Sequence, residues 1–181
     1  EYHFDGYRID LSKGLTQTYS GSDVGQWNQY DQGRIDVLFE YANHIWMDHP
    51  GAYIILEHLG NNEEESVLAN GGFMLWGKMT TAYTEATIGY DGDLNWGVWS
   101  YRGWNWPNLV TYFESHDEQR FAYEVQAYGA SNGGYNIQEF GTAMERVALA
   151  HAFLLLAPGP KMMWQQGELG YDLNLFDCGN G

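Results

Sequence analysis

Pairs of polar residues stand at the ends of several apolar stretches of this sequence, where buried strands are expected to end. The pairs are Arg8 with Asp10, Glu57 with His58, His116 with Asp117, and Gln165 with Glu168. A carboxylate at the end of a buried strand must be hydrated, paired with a cation or used in chemistry, because burying it alone is costly. Since parallel strands end at one edge of a sheet, we expect these pairs to face a common opening.

Two carboxyl groups at one opening are what retaining glycoside hydrolysis requires. One carboxylate attacks the anomeric carbon and has to be ionised, and an arginine beside it favours that form. Asp10, two residues after Arg8, fits this part. The other carboxyl donates a proton to the leaving oxygen, and the apolar run before Glu57 favours a protonated carboxyl. Asp117 offers a further acceptor for sugar hydroxyls, and His116 offers a donor.

The hydrophobic periodicity predicts strands that alternate with helices. Strands are expected over residues 1–12, 52–60, 72–79, 108–117 and 161–168, and helices over 34–49, 63–70 and 140–156. In the first strand, Tyr7, Ile9 and Leu11 share one face. This order of elements is typical of parallel β/α units.

Helical spacing predicts which faces of the two long helices are buried. The apolar stripes are Ile35, Leu38, Phe39, Ala42, Ile45 and Trp46 in the first, and Met144, Val147, Ala148, His151 and Leu155 in the second. The acidic run of residues 63–65 is expected to be solvated at a helix start. Residues 80–107 show no clear period, and their tryptophans (Trp96, Trp99, Trp104 and Trp106) either stack on sugar rings or pack the loop.

Four stretches resemble, in order, motifs of the α-amylase family of glycoside hydrolases. "DGYRIDLSKG" is similar to the family motif at barrel strand 4, "ILEHLG" to that at strand 5, "YFESHDEQR" to that at strand 7, and "APGPKMMWQQGELG" to the segment at strand 8. Each motif alone is short; the ordered set, which covers residues 4–170, is specific. Gly14 stands where the family often has histidine, which leaves the preference for sugars on the leaving-group side open.

The resemblance implies a role for each matching residue. Asp10 corresponds to the nucleophile, Glu57 to the general acid/base and Asp117 to the stabiliser of the transition state. Residues implied in substrate binding are Arg8, Lys13, His116 and Arg120. The implied substrates are α-1,4-linked glucans such as starch or maltodextrin.

The resemblance also implies the fold, a partial (β/α)8 TIM barrel. A complete barrel takes about 250 residues, so residues 1–181 correspond to its C-terminal part, with strands 1–3 and the last helix outside this sequence. Activity is therefore expected of the full-length protein. No metal and no cofactor are expected in this chain. Many members of the family bind calcium near strand 3 and an adjoining domain, so the resemblance leaves calcium binding by the full-length protein open.

The charge balance narrows the classes of partner. The chain has 8 Lys+Arg against 24 Asp+Glu, a net charge of −16, which disfavours nucleic acid and anionic membranes as partners. The most apolar stretch, residues 148–158, is too short to span a bilayer. Cys178 is the single cysteine and does not identify a redox compartment. An acidic chain rich in aromatic residues suits an extracellular starch degrader, but no signal in the sequence decides the location.

Three alternatives compete with an α-glucan hydrolase. A transglycosylase of the branching-enzyme kind uses the same catalytic residues and differs only in its acceptor. A metal-dependent hydrolase would use His116, Asp117 and Glu57 as ligands, but usually needs a His-x-His pair, which this sequence lacks. A non-catalytic glucan-binding relative is expected to have lost one of the three carboxylates, and all three are present.

Overall fold

The helices and strands follow one another as a β/α series in this computed structural model, which describes residues 3–177. Cys178 and the predicted start of the first strand lie outside the described residues. The strands are β1 (Gly6–Ile9), β2 (Tyr53–Leu56), β3 (Met74–Lys78), β4 (Leu109–Tyr112), β5 (Ser131–Asn132) and β6 (Tyr135–Asn136). The helices are α1 (Gln32–Asp48), α2 (Asn62–Asn70), α3 (Thr80–Ile88), α4 (Phe121–Tyr128) and α5 (Phe140–Leu156).

Strands β1 to β4 form a four-stranded sheet in the order β1-β2-β3-β4. β1 and β2 are parallel, with Gly6 opposite Tyr53 and Ile9 opposite Leu56. β2 and β3 are also parallel, and the backbone hydrogen bonds from residues 75 and 79 to residues 108 and 112 continue the same direction into β4. The prediction of an α/β fold with parallel strands alternating with helices is therefore confirmed. β5 and β6 make a separate antiparallel hairpin.

The chain divides into two compact units. The first unit runs to Gly77 and includes Trp99–Val110; the second consists of Lys78–Val98 and the chain from Thr111 onward. The core of the first unit is made by α1, α2 and the apolar residues of β2 and β3. Its buried members include Leu38, Ala42, Ile54, Leu68, Phe73 and Leu75. The predicted stripe of α1 is confirmed, because every one of its residues is buried or packs against this core.

The second unit has its own core, in which α5 packs against α3 and α4. Here the predicted stripe was partly wrong: Ala148 and Leu155 are exposed, whereas Ala143, Ala150 and Leu154 are buried beside the predicted Val147 and His151. The helix is apolar on several sides, so spacing alone does not decide which side faces α3 and α4.

Four further predictions need correction. Strand β1 is short and largely exposed, and Leu11, expected on a buried face, is 47% exposed and lies beyond the strand. The expected fifth strand over 161–168 is reduced to one bridge between Thr111 and Lys161, followed by a 3-10 turn. Helices α3 and α4 were missed: α3 has no clear apolar period, whereas Phe121, Ala122 and Val125 form an apolar face of α4 that the sequence could have indicated. In the acidic run only Glu63 is exposed; Glu64 and Glu65 are buried.

The four tryptophans of residues 80–107, for which the sequence does not decide between stacking on sugar and packing the loop, differ in burial. Trp104 is buried in the core of the first unit, and Trp99 packs against it, so these two support their loop. Trp96 and Trp106 are exposed. Within residues 3–177, no helix combines the length and apolar character that crossing a membrane requires.

Candidate active site

Arg8 joins the two carboxyl groups that the sequence identifies as a candidate pair. Its NH2 group donates to Asp10 Oδ1 at 2.9 Å, and its NH1 group donates to Glu57 Oε2. The Asp10 side chain is 71% exposed and that of Glu57 10% exposed. The guanidinium also lies over the ring of Trp76, 4.7 Å from its centroid. Arg8 thus holds an exposed and a buried carboxyl group together, on an aromatic support.

The strand ends that carry this pair turn sharply. Leu11, directly after Asp10, has φ 41°, and Leu59, two residues after Glu57, has φ 51°. Left-handed backbone at a residue with a side chain costs about 1–3 kcal/mol and persists only where its surroundings enforce it. Hydrogen bonds supply that enforcement: Ser12 N donates to the Glu57 carbonyl at 2.9 Å, and Glu57 N donates to the Ile9 carbonyl at 3.0 Å.

A buried ion pair between Arg34 and Glu64 lies beneath these turns. Arg34 Nε and NH2 donate to the two Glu64 oxygens, each at 2.6 Å, and both side chains are fully buried. Arg34 also donates to three backbone carbonyls of the preceding loop, those of Lys13, Trp27 and Gln29. Helix α1 begins just before it, because Asp31 caps the helix by accepting from Arg34 N at 3.2 Å.

His58 connects this ion pair to the Glu57 backbone. Its Nδ1 lies 2.9 Å from Ser12 Oγ, and its Nε2 lies 3.1 Å from Glu64 Oε1, with the N–H direction poorly aligned. Burial alone raises the pKa of Glu64, but contacts from His58, Arg34 and the Asp31 N–H outweigh burial and leave that pKa below the ordinary 4.5. Glu64 is therefore ionised in the folded protein at neutral pH.

Lys13, predicted to contact substrate, is held by protein groups of the first unit. Its Nζ donates to Asn28 Oδ1 at 2.8 Å and to the Leu59 carbonyl at 3.2 Å. Burial lowers the pKa of Lys13; Glu65 opposes this effect and nearby Arg34 adds to it. The bond to Leu59 is one of those that enforce the left-handed turn after Glu57.

Glu65, next along α2, has a different partner from Glu64. It accepts from Arg102 NH1 at 2.9 Å and from Gly60 N at 3.1 Å. Burial raises the pKa of Glu65, although Arg102 acts against that rise. Glu65 therefore supports the loop after β2, and two of the three acids at the start of α2 are buried and paired rather than solvated.

In the second unit, His116 and Asp117 follow β4 and contact each other. His116 Nε2 lies 3.4 Å from Asp117 Oδ1, and the two side chains are 40% and 62% exposed. The imidazole ring lies near Trp164, with 5.9 Å between ring centroids. The pair is thus an exposed polar group with an aromatic neighbour.

Arg120, predicted to bind substrate, is buried and paired. Its NH1 donates to Glu114 Oε1 at 3.0 Å and to the Gln165 carbonyl at 2.9 Å, and its guanidinium lies over Tyr171. Burial raises the pKa of Glu114, and Arg120 opposes that rise. Through these contacts Arg120 supports the segment around Gln165. Glu168, which the sequence predicts at the same end of the sheet as the other polar pairs, is exposed.

Several residues of these clusters were missed in the sequence. Ser12 is the last residue of the first predicted strand but was not recognised as a site residue, and Glu64 lies in the acidic run of α2, away from any strand end. Lys78 ends β3, and it forms an ion pair with Glu118 at 2.6 Å. Glu118 also accepts from the Ser115 hydroxyl. A lysine at the end of an apolar strand could have been noted by the rule that identified Asp10 and Glu57.

The structure thus brings Arg8, Asp10 and Glu57 into contact in the first unit, and His116 and Asp117 into contact in the second. Comparison with known proteins adds no identification: no protein-family model matches the sequence, and no curated protein matches it.

The acidic run allows a matched test of the buried ion pair. We expect Glu64→Gln to lower the free energy of unfolding by about 3 kcal/mol at pH 7, because Arg34 is left buried without its counter-charge. The exposed neighbour provides the control, and Glu63→Gln should change it by no more than about 0.5 kcal/mol. Urea denaturation of the protein measures both.

The pH dependence of that difference follows from the Glu64 pKa. Because the folded-state pKa lies below the unfolded one, the ionised form stabilises the folded protein above about pH 4.5, and this contribution is lost as the pH falls through the folded-state pKa. The gap between the wild type and Glu64→Gln should therefore narrow below pH 4.5. Equal stability of the two glutamine variants at pH 7 would contradict the assignment.

Proposed function

We propose that this chain is part of the catalytic barrel of a retaining α-glucan hydrolase of the α-amylase kind. The observation that carries the proposal is the spacing of the two carboxyl groups, since an oxygen of Asp10 lies within 4.8 Å of an oxygen of Glu57. Retaining glycosidases hold their carboxyl groups about 5–5.5 Å apart, whereas inverting enzymes separate them by about 6.5–9.5 Å to admit a water molecule. The spacing supports double displacement.

The surroundings of the two groups support distinct roles. Asp10, the more exposed, is proposed as the nucleophile, because an attacking carboxylate has to reach the anomeric carbon. Glu57 is mostly buried behind it and is proposed as the acid that protonates the leaving oxygen and then as the base that activates water. Arg8 is proposed to orient both carboxyl groups and to contact substrate.

The other proposed roles rest on the motif resemblance. Asp117 is proposed to stabilise the transition state and His116 to donate to sugar hydroxyls, and the exposure of both side chains is compatible with ligand contact. The substrate roles of Lys13 and Arg120 stay predictions. Lys13 donates to Asn28 and Arg120 to Glu114, and these contacts favour a role in holding the protein segments around the site.

The proposed fold is a partial TIM barrel. Strands β1 to β4 would be strands 4 to 7 of such a barrel, and the bridge at Lys161 would begin strand 8. The proposed partner is an α-1,4-linked glucan such as maltodextrin. Calcium binding by the full-length protein stays a prediction, because its expected ligands lie outside residues 3–177.

Incubation of the full-length protein with maltoheptaose tests the reaction. We expect shorter oligosaccharides, released first as α-anomers and followed by chromatography and proton NMR, because two displacements retain the configuration. Release as β-anomers would contradict the proposed mechanism. Longer or branched products without net hydrolysis would assign a transglycosylase, and the absence of turnover with glucan binding intact would assign a non-catalytic relative.

Substitution of the proposed nucleophile gives the second test. Asp10→Asn should lower kcat by about a thousandfold or more, because the covalent intermediate no longer forms. Asp5→Asn, a change of the same type at an exposed residue before β1, is the matched control and should keep normal kcat. Near-normal activity of a folded Asp10→Asn protein would refute the nucleophile assignment.

The acid/base role of Glu57 is tested with two substrates that differ in their leaving group. Glu57→Gln should lower kcat about a hundredfold or more on maltoheptaose, which needs protonation of its leaving oxygen. With α-maltosyl fluoride, whose leaving group needs no protonation, formation of the intermediate should be far less affected. Glu63→Gln serves as the control, and an equal loss on both substrates would argue against Glu57 as the acid.

A further inference from the structure

We infer that Ser12 and His58 are positioning residues for Glu57, and that they fix its spacing from Asp10. The inference rests on the proposed function for its catalytic meaning, and on the contacts of the first unit for its geometry. Both residues are completely buried, so neither side chain is placed to meet substrate. The Ser12 hydroxyl nevertheless approaches the Glu57 carbonyl, and His58, the residue after Glu57, contacts that hydroxyl.

Ser12 is the direct link between the two carboxyl-bearing segments. It lies two residues after Asp10, and both its N–H and its hydroxyl approach the Glu57 carbonyl, at 2.9 and 3.2 Å. The strained backbone of Leu11 lies between Asp10 and Ser12. The bonds from Ser12 therefore hold a turn that would relax without them, and the position of Asp10 relative to Glu57 depends on that turn.

His58 determines what the Ser12 hydroxyl can do. A hydroxyl has one hydrogen, so Ser12 can donate either to the Glu57 carbonyl or to His58 Nδ1. When Nδ1 carries a proton, it donates to Ser12 Oγ, and the hydroxyl hydrogen is free for Glu57. The other ring nitrogen, Nε2, lies 3.1 Å from Glu64 Oε1, so the imidazole ring is held between Ser12 and Glu64.

Arg34 fixes the far end of this chain of contacts. Glu64 is held by Arg34 and by the Asp31 N–H at 2.7 Å, so its carboxylate cannot move away from His58. The chain Arg34–Glu64–His58–Ser12 thus connects the start of α1 and α2 to the Glu57 carbonyl. A buried polar network whose members restrain one another rigidifies the element at its end.

The test uses variants that each remove one side-chain contact of the Arg34–Glu64–His58–Ser12 chain. Ser12→Ala removes the hydroxyl and keeps the backbone bond. His58→Asn keeps a polar atom near the Nδ1 position, facing Ser12, whereas His58→Gln keeps one near the Nε2 position, facing Glu64. Ser66→Ala on α2 removes a hydroxyl whose hydrogen bond lies within that helix, and is the control for loss of a hydroxyl.

Kinetics separate positioning from a general effect on folding. In the full-length protein, Ser12→Ala and His58→Gln should lower kcat on maltoheptaose about ten- to a hundredfold, with KM little changed, because misplacing a catalytic group by about 1 Å costs that much. On α-maltosyl fluoride, which needs no acid, the loss in the rate of intermediate formation should be smaller. His58→Asn should recover much of the activity on maltoheptaose. Equal loss on both substrates, or no difference between the two His58 variants, would overturn the inference.

Hydrogen exchange gives a readout that does not depend on turnover. The Ser12 amide hydrogen, which is bonded to the Glu57 carbonyl, and the Glu57 amide hydrogen, which is bonded to the Ile9 carbonyl, should exchange faster in Ser12→Ala and His58→Gln than in Ser66→Ala. If the wild type turns over neither substrate, the proposed function fails, while exchange still decides whether the network holds this segment. Unchanged exchange in Ser12→Ala would refute the positioning role in either case.

Discussion

The fully buried ion pair of Arg34 and Glu64 is the interaction on which the first unit depends. Arg34 makes five hydrogen bonds, as many as its N–H groups, two to Glu64 and three to backbone carbonyls of the loop after β1. A buried ion pair contributes little net stability compared with apolar residues of the same volume. Three of the Arg34 bonds, in directions fixed by the planar guanidinium, hold a loop whose own sequence, rich in Gly, Ser, Thr and Gln, would not fix it.

That constraint explains how a short pair of strands positions two carboxyl groups. β1 and β2 pair over four residues each, so the ladder ends before Asp10 and Glu57, and the turns after them decide where these side chains go. Both turns contain a leucine with left-handed backbone. Lys13 and Ser12 bond to carbonyls of the segment after β2, and Arg34 bonds in turn to the Lys13 carbonyl. The relative placement of Asp10 and Glu57 is thus a property of the loop network, not of the sheet.

The sequence predicted elements where one pattern dominated. Helix α1 has polar residues opposite its apolar stripe, and its buried face was right; α5 is apolar on several sides, and its buried face was partly wrong. The sequence predicts a solvated acidic run at α2, because helix starts favour acidic residues; nothing local indicates that Arg34 and Arg102 reach two of the three glutamates. The Arg8, Asp10 and Glu57 cluster was predictable because parallel strands place their ends together, whereas the contribution of Ser12 and His58 depends on side-chain directions within turns.

Arg8 contacts Glu57 as well as Asp10, whereas the spacing in the sequence links it only to Asp10. The proposed mechanism offers a chemical reason for the contact with Glu57. In double displacement the acid of the first step becomes the base of the second, so Glu57 has to be stable in its ionised form while water attacks the glycosyl intermediate. During that interval Asp10 is esterified and carries no charge. A single guanidinium in contact with both groups can therefore serve the ionised partner at each stage: Asp10 before attack, and Glu57 after the proton has left.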